Sequence, residues 1–368
     1  MRAFVGKTRG VKSSLLLPLV ISLFAVASLH AEKIVLVAGG GSAEKDAPAA
    51  ECKLNEPFGV EFLPSGEMVI VEMEHGNRVL KVDAKGVLRV IAGTGAKGYS
   101  GDGGPATAAT FNGIHNLQIT PAGDLLIADS FNHTLRKIDG KTGVISTIAG
   151  NGKKGFAGDG GPAAQAQFST LIQIALDPAG KQLYCADIGN RRIRRIDLAS
   201  GNISTIAGNG QGGVPADGAD AVSAPLVDPR AVTPDAAGGF YILERNGNAL
   251  RYVDAAGKIK TVGGSGAKGL SGDGGPGLQA TMTGPKYTTL DHDGTVLIAD
   301  AENQVVRRYA PKTGLITRVA GTGKRGTAGL GGSPLECELA RPHGVTVAKD
   351  GTLFITDAYN DRILKIVP

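Results

Sequence analysis

"GDLLIADSFNHTLRKID" spans residues 123–139. Two β-rich runs, "LLIAD" and "TLRKID", flank a short polar turn, the pattern of a hairpin. The same pattern returns as "GKQLYCADIGNRRIRRID" (180–197), "GTVLIADAENQVVRRYA" (294–310) and "GTLFITDAYNDRILKIV" (351–367). Looser copies are "GEMVIVEMEHGNRVLKVD" (66–83) and "GGFYILERNGNALRYVD" (238–254). The unit therefore occurs six times.

A second element alternates with it. "KIVLVAG" (33–39), "VLRVIAG" (87–93), "VISTIAG" (144–150), "NISTIAG" (202–208), "KIKTVGG" (258–264) and "LITRVAG" (315–321) are 54 to 58 residues apart. With the run ahead of each hairpin, such as "NLQIT", each repeat supplies four short strands divided by Gly, Pro and Asp turns. Repetition at this length predicts an all-β, six-bladed β-propeller of four-stranded blades. The ends agree with it. The sixth repeat stops after its third strand, at "LKIVP", and "KIVLVAG" is one strand to spare. Pairing that N-terminal strand into the last blade closes the ring and leaves no ragged edge.

These motifs, "P-x-G-V", "G-x-L-x-I-A-D-x-x-N" and the terminal "AG", resemble those of the NHL-repeat family of six-bladed propellers, of the exported bacterial type. The resemblance covers about residues 32–368. It is specific for fold and weak for activity, because the family includes binding scaffolds, sensor domains and enzymes.

Three linkers share a glycine-rich sequence: "YSGDGGPATAATF" (99–111), "FAGDGGPAAQAQF" (156–168) and "LSGDGGPGLQATM" (270–282). "VPADGADAVSAPL" (214–226) is a degenerate fourth. No Lys-Ser/Thr follows the glycines and no long helix is expected, so a phosphate loop is excluded. The linkers are expected to be architecture, with Asp102, Asp159 and Asp273 capping nearby backbone and Pro105, Pro162 and Pro276 opening a short helical turn. Asp129, Asp187, Asp300 and Asp357, each with Asn three residues on, are expected to close turns. Glu244 replaces Asp in the fourth repeat, and the first slips register around Glu74 and Asn77.

Residues 1–31 belong to another regime. Arg2, Lys7, Arg9 and Lys12 precede an apolar run, and small residues follow, with cleavage expected after Ala27 or Ala31. This is the pattern of a signal peptide, with an uncleaved anchor as the alternative. The expected domains are thus a leader over 1–31 and a propeller over 32–368, exported to the periplasm or the extracellular space. Four of the 39 basic residues lie in the leader, leaving 35 against 34 acidic ones. So neutral a body excludes nucleic acid as the main partner, and no membrane contact is expected once the leader is cleaved. Cys52, Cys185 and Cys337 are too few for a disulfide framework; they are expected as thiols, with a Cys52–Cys337 disulfide across the ring closure as the alternative.

A site in such a ring belongs at the mouth of the central channel. The leading residues of the six innermost strands are Phe58, His115, Ile172, Arg230, Lys286 and His343. The next are Gly59, Asn116, Gln173, Ala231, Tyr287 and Gly344, and the fourth residues include Glu61 and Gln118. The third, such as Leu117 and Ile174, are apolar and should pack between blades. Departures from the repeat mark the candidates: His115, Arg230, Lys286 and His343 crowning the channel, and Asn116, Gln173, Tyr287, Glu61 and Gln118 within it, which is expected to be wet. The expected function is a non-catalytic, monomeric binding module for a protein, peptide or glycan. The alternative is a metal-dependent propeller enzyme of the lyase or lactone hydrolase type. The resemblance implies for such a lyase a zinc held by histidines of alternate blades. His115 and His343 fit that pattern, but Arg230 stands in the third place, and catalytic zinc wants three protein ligands. One carboxylate per linker is thin for calcium. No metal and no cofactor are expected, and no catalytic residue is assigned.

Overall fold

The computed structural model describes residues 1–4, 6 and 32–368. Most of the leader expected over 1–31 lies outside the described residues. Among the described residues every helix is a single 3₁₀ turn, and all other regular structure is β. None is long and apolar enough to cross a membrane.

Six antiparallel sheets form the ring. Blade two shows the plan, with strands from the axis outward at Ile114–Ile119, Leu125–Asp129, Thr134–Ile138 and Ile145–Ala149. Blade four adds a two-residue outer strand, Ala219–Asp220, from the degenerate linker. Blade six comprises Gly344–Val347, Leu353–Asp357 and Arg362–Val367, and its fourth strand is Lys33–Gly39. Lys33 pairs with Val367 and Gly39 with Arg362, so the chain's two ends close the ring. Ile34 and Ala38 of this strand are fully buried. They pack in different clusters, Ile34 with the fifth and sixth blades and Ala38 with the first.

The recurrent carboxylate is a structural fastener. Asp129 is fully buried. It accepts hydrogen bonds from the Asn112 N–H at 2.8 Å, from Asn132 at 2.8 Å and from Arg136 at 3.4 Å. Asp187, Asp300 and Asp357 repeat the arrangement. Glu244 performs it in blade four, accepting from Val227 and Arg251. In blade one the place belongs to Glu72, bonded by Asn55 and Arg78, rather than to Glu74. Each carboxylate ties its second strand to the backbone that leads into the innermost strand of the same blade.

The glycine-rich linkers are architectural, but their aspartates work differently from the capping expected. Asp102 accepts from Arg136 at 2.7 Å and from the Thr147 N–H at 3.1 Å. Asp159 grips Arg194 and Thr205, and Asp273 grips Arg307 and Arg318. The linker thus folds over the outer edge of the blade it enters, where Gly103 and Gly104 bond Ile145. Gly101 has a φ of +100°, and a Cβ there would lie 2.7 Å from Ala109, so glycine is required. Pro105 precedes the 3₁₀ turn Ala106–Ala108 rather than opening it.

In five of the six blades the turn after the second strand staples the neighbouring blade. Asn77 accepts from the Gly113 N–H, Asn248 from Gly284 and Gln304 from Arg341. Asp361 of blade six accepts from the Glu56 N–H of blade one at 2.7 Å, a second bond across the closure. All three cysteines are buried free thiols. Thiol counting in denaturant without reductant is therefore expected to find three.

Candidate functional site

The innermost strands begin on what we term the upper face. In blades one to four their register shifts by one residue next to the leading position. In blade two, Ile114 pairs with Asp129 and Asn116 with Ala128, leaving His115 as the extra residue of a bulge. A regular strand would put residues one and three on the same side. The bulge re-aims the first, so His115 leaves the interblade face that Leu117 occupies. The expectation for the third residues holds: Val60, Leu117, Ile174, Val232 and Val345 are buried.

The nine candidates divide into three levels rather than lining one wet channel. The leading residues form the upper mouth. It is aromatic on blades six, one and two. Phe58 stacks on His343 with centroids 4.0 Å apart and meets His115 edge-on at 5.4 Å. Phe131 packs on His115 and Tyr359 on His343, both from the turns after second strands. The mouth is cationic on blades four and five. Lys286 bonds Glu302 at 2.9 Å, and Arg341 also holds Glu302. Arg245 pairs with Asp228 at 2.7 Å. Arg230 is 6% exposed and has no side-chain partner among the described residues, its Nε being buried and unbonded.

Burial and the Arg230 charge keep both mouth histidines neutral, pushing His115 down to about 3 and His343 well below its ordinary range. Their Nδ1 atoms lie 3.2 Å from Gly113 O and 2.9 Å from Arg341 O. Nδ1 therefore carries the proton and donates, leaving an acceptor lone pair on Nε2. Burial, with Arg230 nearby, pushes Lys286 down to about 8 despite Glu302.

Beneath the mouth lies a septum. Asn116 of blade two donates to the Tyr287 phenol oxygen of blade five, opposite it in the ring, at 3.3 Å. Its Oδ1 accepts from the Ile174 N–H at 3.0 Å. Gln173 donates to Thr288 O at 2.9 Å and to Val232 O at 3.3 Å. Asn116, Gln173 and Tyr287 are all buried. A Cβ at Gly59 would lie 3.6 Å from Asn116 Nδ2, and the polar residues here bond one another across the axis. Tyr287→Phe should strip a buried Asn116 donor of its partner and cost about 1–3 kcal/mol, read as a lower melting temperature.

Past the septum, a chamber of about 280 Å³ is lined by Glu61, Gln118, Thr233, Tyr287, Thr289 and Thr346. Gln118 donates to Glu61 at 2.7 Å and accepts from Leu176. Burial pushes Glu61 from its ordinary 4.5 up to about 8. Glu61 is therefore protonated in the folded protein over a range where the unfolded chain has lost that proton. Its contribution to stability is full below 4.5 and is lost as pH rises towards 8. Glu61→Gln should flatten the decline in melting temperature over this window. A wild-type decline of equal size in the variant would contradict it.

Among the described residues, no three His, Cys, Asp or Glu side chains gather closely enough to hold a metal ion. Phe58 lies between His115 and His343, and Arg230 occupies the third place of the alternate-blade pattern.

Six blades around a sealed axis, with the unlike residues gathered at one mouth, make this a six-bladed β-propeller. The NHL repeat family matches residues 339–366. The chain thus carries an NHL repeat on a six-bladed β-propeller, and its curated relatives include NHL-repeat proteins. It is 26% identical over 284 residues to Protein SUPPRESSOR OF QUENCHING 1, chloroplastic, of Arabidopsis thaliana, covering 74% of this chain and 26% of that protein. It is 25% identical over 325 residues to human NHL repeat-containing protein 2, covering 80% and 44%. The chain thus spans less than half the length of these curated relatives. An auxiliary nutrient binding protein from Bacteroides thetaiotaomicron shares the fold with a TM-score of 0.68 at 16% identity, over 91% of this chain and 76% of that one. Virginiamycin B lyase from Staphylococcus aureus does so with a TM-score of 0.52 at 14% identity, over 92% and 99%.

Proposed function

We propose that the chain is an exported, non-catalytic binding module that takes a protein, peptide or glycan ligand at its upper mouth and works as a monomer. The observation that carries this reading is the asymmetry of the mouth. The repeats make the blades alike, yet their leading residues form an aromatic half and a cationic half over a closed floor. Rigid scaffolds with unlike residues at one end are suited to recognition. The fold alone does not choose a function, since its neighbours include proteins named for nutrient binding and for lyase activity.

A peptide and glycan array probed with wild type and with the Arg230→Gln/His343→Ala double variant tests it. Wild type should bind a restricted set, and the double variant, still folded by circular dichroism, should lose it. Equal binding by the two would place the ligand elsewhere. The second reading, a metal-dependent enzyme, draws on the two Nε2 lone pairs. Stoichiometric, tightly held zinc or calcium in the purified protein would favour it.

A further inference from the structure

We propose that the upper mouth is a carboxylate subsite, anchored by Arg230, for an acidic sugar of the uronate class; this rests on the binding reading above. Six arginines are buried among the described residues: Arg136, Arg194, Arg230, Arg251, Arg307 and Arg362. Five of them clasp a carboxylate of the chain. Arg230 clasps none. Its Nε is buried and unbonded, which is costly, and a guanidinium fork matches a carboxylate through two parallel bonds. The two nearby acids are engaged, Asp228 by Arg245 and Glu302 by Lys286 and Arg341. The matching carboxylate must therefore come with the ligand.

The rest of the mouth narrows the class. Nε2 of His115 and of His343 accept, so they call for donors that a bare anion lacks, such as hydroxyl groups. Tyr359, 41% exposed, stacks on His343 and carries the Arg341 guanidinium 4.6 Å over its ring, which adds a further cation to the mouth. A carboxylate on a polyhydroxylated ring supplies both contacts, the charge for Arg230 and the hydroxyl donors for the two Nε2 atoms. Asp228 and Glu302 beside Arg230 are both taken by cations, which counts against an ammonium group next to the ligand carboxylate.

The test uses the full chain, with melting curves and calorimetric titration at matched ionic strength. The probes are D-glucuronate, D-glucose, N-acetylglycinate and inorganic phosphate. D-Glucuronate should raise the melting temperature by several degrees and D-glucose should not. Without ligand, Arg230→Met should melt above wild type, because an unpaired charge has gone, and it should bind D-glucuronate at least tenfold more weakly. Equal responses to D-glucuronate and D-glucose, or a lower melting temperature for Arg230→Met, would overturn the proposal. N-acetylglycinate or phosphate matching D-glucuronate would overturn the sugar class. If a neutral ligand binds in a manner lost in His343→Ala and kept in Arg230→Met, the carboxylate subsite fails while the binding mouth stands. Ligand binding indifferent to both variants would refute the mouth itself.

Discussion

Deleting residues 33–39 is expected to lower the melting temperature of the propeller by roughly 10 °C or more. The strand pairs along Arg362–Val367, and removing it exposes that strand as an edge. It also empties the space of fully buried Ile34 in one cluster and Ala38 in another. Losing a buried Ile alone costs about 1.5–3 kcal/mol, and each ladder hydrogen bond adds about 1 kcal/mol. The total exceeds about 5 kcal/mol. The Asp361–Glu56 bond joins the same two blades but cannot replace a strand. A truncated protein that melts with the intact one would show that the ring is closed in another way.

The second large effect is expected at Arg194. Its side chain is fully buried and donates to Asp159 at 2.8 Å, to Ala157 O at 3.1 Å and to Gln167 O at 3.2 Å. Its Nη1 also lies 3.5 Å from Asp187 Oδ2. Burial pushes Asp187 up to about 6, so it remains ionised at neutral pH while Arg194 is present. Arg194→Ala leaves that buried carboxylate without its cation and removes the side-chain clamp on the linker, whose backbone bonds to the outer strand remain. Breaking one half of a buried pair costs about 3–5 kcal/mol. Denaturant titration should show that loss, and Arg195→Ala on the exposed side of the same strand should show almost none. Equal effects would contradict the clamp.

The contrast between repeat and exception explains what could be read from the sequence. Strands, blade number and closure follow from spacing, because each repeat must bury its faces against the next. The linker's structural role was legible from its recurrence, but its partner was not. Asp102 finds Arg136, 34 residues on, and no local pattern pairs a linker aspartate with a third-strand arginine. The place of Glu72 was obscured because Glu74 and Asn77 offered a competing register. Among the candidates, the columns placed residues by level but could not show the septum. Tyr287 and Asn116 stand 171 positions apart and meet only because blades two and five oppose each other. The equal treatment of Arg230 and Lys286 had the same origin. One is paired with Glu302 and the other is unpaired, a difference set by the neighbouring turns.

The central claim is that ligand is held above the septum and not in the chamber beneath it. Titration calorimetry of one array-selected ligand against wild type, the Arg230→Gln/His343→Ala double variant and Glu61→Gln tests this directly. The expected result is at least a hundredfold loss of affinity in the double variant and an unchanged Kd in Glu61→Gln. Loss in Glu61→Gln with full affinity in the double variant would contradict it.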